Sequence, residues 1–245
     1  MRRRTLLRHV LVAFLVMSVV VGCGAQSEQI ELKLGHGLSP SHPVHQAMEY
    51  MSDRLEEKSD GQMTIDVYPS EQLGTERQTL ELLQLGSIDM TKVSSSVMES
   101  FSDPYKVFGL PYIFRNEAHR FAVLEGEVGK QILRSSTDVW LRGLTYYDAG
   151  SRSFYTVDTP IREPSDLEGL KIRVQQSPAA IQLVNELGAS ATPISFGELY
   201  TALQQGVVDG AENNAPSFHL TAHYELCNYF CLDRHTSPPD VLLIS

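Results

Sequence analysis

The residues from Asp166 to Asn214 alternate strand and helix signals on a scale that suits few architectures. Two apolar, β-prone runs, Leu170–Val174 and Val207–Ala211, flank two helical patterns. This alternation predicts βαβ units and a parallel sheet. Asp166 opens a short turn, and Gly169 closes it before the first strand. Arg173 then falls near the carboxyl end of that strand. Open parallel sheets take ligands in the crevice beyond their strand ends. An arginine there offers a planar fork of donors that fits a carboxylate. It equally suits a surface ion pair with a structural acid.

The second helix of the stretch is closely punctuated. Ser195 is placed as an N-cap with Glu198 three residues on, a capping-box pattern. Leu199 and Leu203 share one face, and Gly206 supplies the stop. The same device occurs earlier in the chain. Thr75 and Gln78 form a second capping-box pattern, and LQLGSID from Leu83 to Asp89 echoes LQQGVVD from Leu203 to Asp209. Caps, core leucines, glycine stops and terminal aspartates all pair at an offset of 120 positions. The offset predicts two related helix–strand units in two lobes, although helix–Gly–strand punctuation is common in α/β chains.

Four segments in order carry a resemblance: SEQLGTERQTLELLQLGSIDM, FGLPYIF, GLKIRV and ISFGELYTALQQGVVDGAEN. The chain from about Leu32 to Ser245 resembles the substrate-binding proteins of TRAP transporters, the DctP family. The resemblance implies an α/β, two-lobed periplasmic-binding-protein-like fold with an interlobe cleft. On this reading, residues 30–150 and 238–245 form lobe I, and residues 151–237 form lobe II. The family continues beyond the equivalent of Ser245 with further helices, so a C-terminal part is expected to be missing.

The amino terminus reads as an export signal. Arg2, Arg3, Arg4 and Arg8 precede an apolar run from Leu11 to Val21, too short to span a bilayer with ease. Val20-Val21-Gly22-Cys23 looks like a lipobox. Residues 1–22 are then a lipoprotein-type signal peptide, Cys23 the lipidated residue and 23–29 a linker. The Arg3-Arg4 pair also resembles a twin-arginine signal, so the export route stays open. Without the four arginines of the signal, 16 Lys and Arg face 30 Asp and Glu, a net of −14. That balance argues against nucleic acid and anionic membrane surfaces as partners. The expected membrane contact is the lipid anchor alone, in the periplasm.

Upstream, Ile30–His36 reads as a strand, Pro43–Lys58 as a helix and Met63–Tyr68 as a strand. A capped helix Glu76–Leu85 and a strand Ile88–Val93 follow. Ala118–Leu133 reads as a helix, Leu144–Ala149 as a strand, Arg152–Thr156 as a crossing between lobes, and the region of Leu242 as a strand that crosses back. Trp140 is read as a packing residue. Cys227 and Cys231, four apart, are read as structural thiols.

Motifs for chemistry are lacking. There is no G-x-S-x-G, H-E-x-x-H, P-loop or G-x-G-x-x-G. No enzyme activity, cofactor, catalytic residue or metal is expected. A competing reading is an exported metal-dependent hydrolase built from His36, His42 and His45 with Asp89, Asp209 and Glu212. A sensor domain of the same fold is a third.

The resemblance implies a site. Arg173 would hold a ligand carboxylate, with Arg152 and Asn213 lining the second lobe's wall. Phe196 would pack against the ligand's body. Glu76 and Ser94 would read its far end, and Gln176 is a further candidate. An ion pair is the alternative for Arg152 and Glu76. The implied partners are a small organic acid and the small and large membrane subunits of a TRAP permease. The first-lobe candidates are acceptors and neutral hydroxyls, which suit a polyol better than a second anion. The expected ligand is therefore a hexuronate such as glucuronate or galacturonate, with a C4-dicarboxylate as the alternative.

Overall fold

The computed structural model describes residues 29–245. Cys23, the signal-peptide reading and all but the last residue of the linker lie outside the described residues.

The chain builds two five-stranded sheets of the same layout. In the first, β1 (Ile30–His36), β2 (Met63–Tyr68) and β3 (Met90–Ser94) run parallel in the order β2-β1-β3. The last strand, β10 (Asp240–Ile244), lies antiparallel between β3 and the edge strand β4 (Arg142–Tyr147). In the second, β6 (Lys171–Val174), β7 (Ser190–Pro193) and β8 (Gly210–Asn213) run parallel in the order β7-β6-β8. There β5 (Ser153–Thr156) takes the antiparallel place beside β8, with β9 (Tyr229–Phe230) at the edge. The chain passes from β4 into β5 and returns from β9 into β10. The two crossings touch, since Arg152 N–H donates to the Thr236 carbonyl at 2.8 Å and Ser151 Oγ lies 2.9 Å from Ser237 Oγ.

Helices cover the sheets. They are α1 (Pro43–Lys58), α2 (Glu76–Gln84), α3 (Ser95–Met98), α4 (Glu117–Glu125), α5 (Glu127–Arg134), α6 (Pro178–Glu186), α7 (Leu199–Gln204) and α8 (Ala215–Leu220). Each sheet has its own core on each face. Leu80, Leu83, Val93, Tyr105, Phe108 and Leu243 pack on one side of the first, and Leu34, Met48 and Leu242 on the other. In the second, Tyr155, Leu199 and Leu203 pack on one side, and Phe154, Ile172 and Val174 on the other. Neighbouring residues on β10 and β5 thus point to opposite layers, as strand alternation requires.

The offset of 120 positions has a structural counterpart. Gly86 and Gly206 close α2 and α7 at φ of 68° and 67°, where glycine carries no Cβ penalty. Asp89 Oδ2 then accepts from the Lys33 backbone N–H at 2.8 Å, and Asp209 Oδ2 accepts from that of Lys171 at 2.7 Å. Each aspartate ties a helix–strand turn to the neighbouring parallel strand, at mid-strand in β1 and at the first residue of β6.

Several expected boundaries move. The strand expected at Val207–Ala211 is β8, because Val207 is exposed beyond the glycine stop and pairing begins at Gly210. The strand expected at Ile88–Val93 begins two residues later at Met90, and that at Leu144–Ala149 begins at Arg142. The single helix expected over Ala118–Leu133 is two, α4 and α5, broken at extended Gly126. Ser195 is not a helix cap. Its hydroxyl donates to the Glu198 carboxylate at 2.6 Å, and α7 starts only at Leu199, after a turn. Thr75 and Gln78, in contrast, make both bonds of a capping box. Trp140 does not pack inside; it sits in the left-handed region, 75% exposed.

Candidate functional site

The strand ends of both sheets meet where the lobes face each other. A cavity of about 40 Å³ lies there, lined by Arg173, Arg152, Asn213, Asn214, Gln175, Phe196 and Ser217 from the second lobe. Gly37, Leu38, His42, Glu76, Lys92 and Asp240 line it from the first. Direct bonds between the lobes ring the cavity. Glu71 accepts from the Gly197 N–H at 3.3 Å, and Ser94 Oγ donates to Gln175 Oε1 at 3.3 Å. Glu99 Oε2 accepts from Ser177 Oγ at 2.8 Å and from the Ala179 N–H at 2.9 Å.

Arg173 sits on β6, where the sheet buries it to 2% exposure. Its Nε donates to the Ile194 carbonyl at 2.8 Å, which orients the fork. Its Nη1 is buried without a partner. Burial and the nearby Arg152 charge push the guanidinium below its usual pKa. No carboxylate lies within ion-pair distance of it among the described residues, so the charge is desolvated and uncompensated by a pair. An unpartnered buried donor costs about 1–3 kcal/mol, and more when charged. A ligand carboxylate would remove that cost.

Arg152 is different. It stands just before β5, and Glu212 of β8 takes its Nε and its Nη2, the latter at 2.9 Å. Nη2 also donates to the Glu212 carbonyl at 2.7 Å, and Nη1 to Asn213 Oδ1 at 3.1 Å. Burial opposes the charge, but Glu212 outweighs it and holds the Arg152 pKa above its usual value. Arg152 is therefore an ion-paired residue at the cavity, its donors largely committed.

On the opposite wall, Lys92 of β3 is buried to 1% exposure. Its Nζ lies 2.9 Å from Asp240 Oδ2 and 3.6 Å from Glu76 Oε1. Burial disfavours its charge, yet the two carboxylates prevail and raise its pKa. Glu76 is shifted upward by burial, with Lys92 acting against the shift. Its Oε1 also accepts from the Ser94 N–H at 3.0 Å. This wall holds one cation and two acids, with Lys92 held between them.

The cavity brings together Arg173, Arg152, Asn213, Phe196 and Glu76. Ser94 sits at its rim, as the N-cap of α3. Gln176 borders an adjoining gap beside Arg173, but the glutamine that lines the main cavity and bridges to the first lobe is its neighbour Gln175. Sequence reasoning missed Gln175, Lys92 and Asp240. Strand alternation from Arg173 singles out Gln175 at i+2, on the same face. Nothing local signals that Lys92 meets Asp240, 148 residues away.

The hydrolase reading finds no support in the geometry. Asp89 and Asp209 bond backbone amides and Glu212 is tied to Arg152. Among the described residues no group of three or more His, Cys, Asp or Glu is placed to hold a metal. The three histidines of that reading are buried, and His36 Nε2 lies 3.0 Å from His45 Nδ1. Cys227 and Cys231 are free thiols, and burial pushes Cys227 up to about 12.

Known proteins agree with this architecture. The family described as DctP, bacterial extracellular solute-binding protein, family 7, matches residues 34–245. Protein YiiZ of Salmonella typhimurium is 43% identical over 206 residues, which are 84% of this chain and 63% of that protein's length. A solved TRAP periplasmic solute-binding protein from Xanthobacter autotrophicus Py2, with bound β-D-galacturonate, is 41% identical with a TM-score of 0.85. The match covers 87% of this chain and 72% of that one. One from Anaerococcus prevotii, with bound α/β-D-glucuronate, is also 41% identical, with a TM-score of 0.87 over 89% of this chain and 71% of that one. The matched family is one of solute-binding proteins, not enzymes. A buried arginine without an acid partner among the described residues, between two lobes of shared topology, on a sequence matched from Leu34 to Ser245, places this chain in the DctP family of TRAP periplasmic solute-binding proteins.

Proposed function

We propose that the protein is the extracytoplasmic receptor of a TRAP transporter and captures a hexuronate such as glucuronate or galacturonate. The observation that carries the reading is Arg173: a buried guanidinium with an unpartnered Nη1 and no acid within ion-pair distance among the described residues. It is the group that takes the ligand's carboxylate. The rest of the cavity favours hydroxyls. Among the described residues lining the cavity, Lys92 and Arg152 are already paired with acids, so a second carboxylate meets no free cation there. Glu76 accepts, and the Asn213 and Asn214 amides both donate and accept, which suits sugar hydroxyls. The solved relatives with bound uronates, at 41% identity, support the same class.

Binding is a hinge motion in this reading. Ligand pockets measure about 300–1,000 Å³, and one water takes about 30 Å³. A cavity of about 40 Å³ admits a hexuronate only when the lobes part about the paired crossings. The lobes, taken as residues 30–150 with 238–245 and as residues 151–237, then close over the ligand. The closed form hands it to the small and large permease subunits, and Cys23 carries a lipid anchor in the periplasm.

Thermal-shift screening of an acid-sugar and organic-acid panel tests the ligand class. A ligand at a hundredfold excess over Kd stabilises by about 2.7 kcal/mol, so a true ligand stands out. Stabilisation by glucuronate or galacturonate is expected. Stabilisation by succinate or malate with neither uronate overturns the hexuronate reading in favour of a C4-dicarboxylate.

A further inference from the structure

His42 lines the cavity from the first lobe. It is the N-cap of α1, and its Nδ1 accepts from the Val44 N–H at 3.2 Å. With Nδ1 used as an acceptor, the neutral ring carries its proton on Nε2. That Nε2 lies 3.4 Å from Ser217 Oγ on the opposite lobe. The ring is 8% exposed, and burial with the charge of Lys92 lowers its pKa, which favours the neutral form. The helix cap therefore fixes both the tautomer and the direction of a neutral donor.

The other first-lobe donor on this cavity, Lys92, is committed to Asp240 and Glu76. His42 is not committed in this way. Among the described residues its one Nε2 partner belongs to the other lobe and sits at the long limit of a hydrogen bond. When the lobes part, that bond is the one given up, and the donor is left facing the cleft.

We propose that His42 is a specificity-determining residue that donates from Nε2 to a hydroxyl of the bound sugar acid, at the end of the ligand away from Arg173. The inference rests on the uronate reading of the site. A neutral imidazole N–H satisfies a hydroxyl oxygen without adding charge to the cavity. It gives a second carboxylate no counter-charge.

The two amide substitutions separate the two nitrogens. His42→Asn keeps an oxygen near the Nδ1 position, and asparagine is a good N-cap, so the fold is retained. It removes the Nε2 donor. His42→Gln places an amide donor near Nε2 and loses the cap. Calorimetry with glucuronate and galacturonate should show His42→Asn weakened about tenfold, near the upper range for one neutral hydrogen bond, with a melting temperature close to wild type. His42→Gln should melt earlier yet bind within about threefold of wild type. Wild-type affinity in His42→Asn, or equal losses in both variants, overturns the proposal while leaving the uronate reading standing. Absence of uronate binding by the wild-type protein overturns the uronate reading, and this inference with it.

Discussion

Glu99 of the first lobe and Ser177 of the second are joined across the cleft by a hydrogen bond of 2.8 Å. The same carboxylate oxygen accepts from the Ala179 N–H, so it caps α6 from the other lobe. The second oxygen is buried without a partner, beside Gly109, where an added Cβ would lie 2.6 Å from it. Burial raises the Glu99 pKa. Between the usual carboxylate value and the raised one, the folded chain holds more protons than the unfolded chain. The group's contribution to stability therefore falls as pH rises through that window. Glu99→Gln keeps both acceptor bonds and removes the buried charge. It should match or exceed wild-type stability at pH 7, whereas Glu99→Ala should lose about 1–3 kcal/mol. Denaturant titrations of both variants against pH check the order.

The two arginines of the cavity should respond in opposite ways. Arg152→Ala leaves Glu212 buried and unpaired, which costs about 3–5 kcal/mol. Arg173→Ala removes a cation that has no acid partner, so stability should hold or rise. Ligand binding should nevertheless fall about a hundredfold or more, the loss of a charged two-bond fork. Arg173→Lys should recover little of it, because an ammonium does not reproduce the fork. Unfolding curves and calorimetry on the same preparations decide; unchanged affinity in both Arg173 variants would falsify its assignment.

Acid should weaken the fold through two histidines. Burial and Lys92 lower His36 to about 3, and burial and Arg173 lower His223 to about 4. Below pH 6.5 the unfolded chain protonates both while the folded chain protonates neither. Stability then falls as pH falls, by about 1.4 kcal/mol per unit for each group. The slope should lessen as each folded value is passed. His223→Gln should flatten the profile between pH 6.5 and 4, read from the denaturation midpoint.

The paired helix starts make a matched test. Thr75→Ala breaks a complete capping box and should cost about 1 kcal/mol. Ser195→Ala removes only a side-chain contact with Glu198 and should change stability by less than about 0.5 kcal/mol.

That contrast marks the limit of what the sequence makes legible. Thr75-x-x-Gln78 and Ser195-x-x-Glu198 read alike, and only the first caps a helix. Local pattern does not say that the chain between Ser195 and Glu198 stays in a turn, with the Gly197 N–H bonded to Glu71 on the other lobe. Where one sheet and one helix settle the matter, as for Pro43–Lys58 and Met63–Tyr68, the reading and the structure coincide. The site shows the same division. Arg173 is marked by its place at a strand end. The pairing of Arg152 with Glu212 and of Lys92 with Asp240 depends on strands far apart in sequence.

The place of β10 bears on how the molecule is made. It is an interior strand of the first sheet, hydrogen-bonded on both sides, and Val241, Leu242 and Leu243 on it are almost fully buried. Yet it follows the whole second lobe along the chain. As synthesis proceeds from the amino end, β3 and β4 wait with unpaired edges until residues 240–244 emerge, a state open to mispairing. Lys92 likewise waits for Asp240. The sheet begun first gains this interior strand only after the second sheet has all of its described strands, so the second sheet can pair while the first is still open.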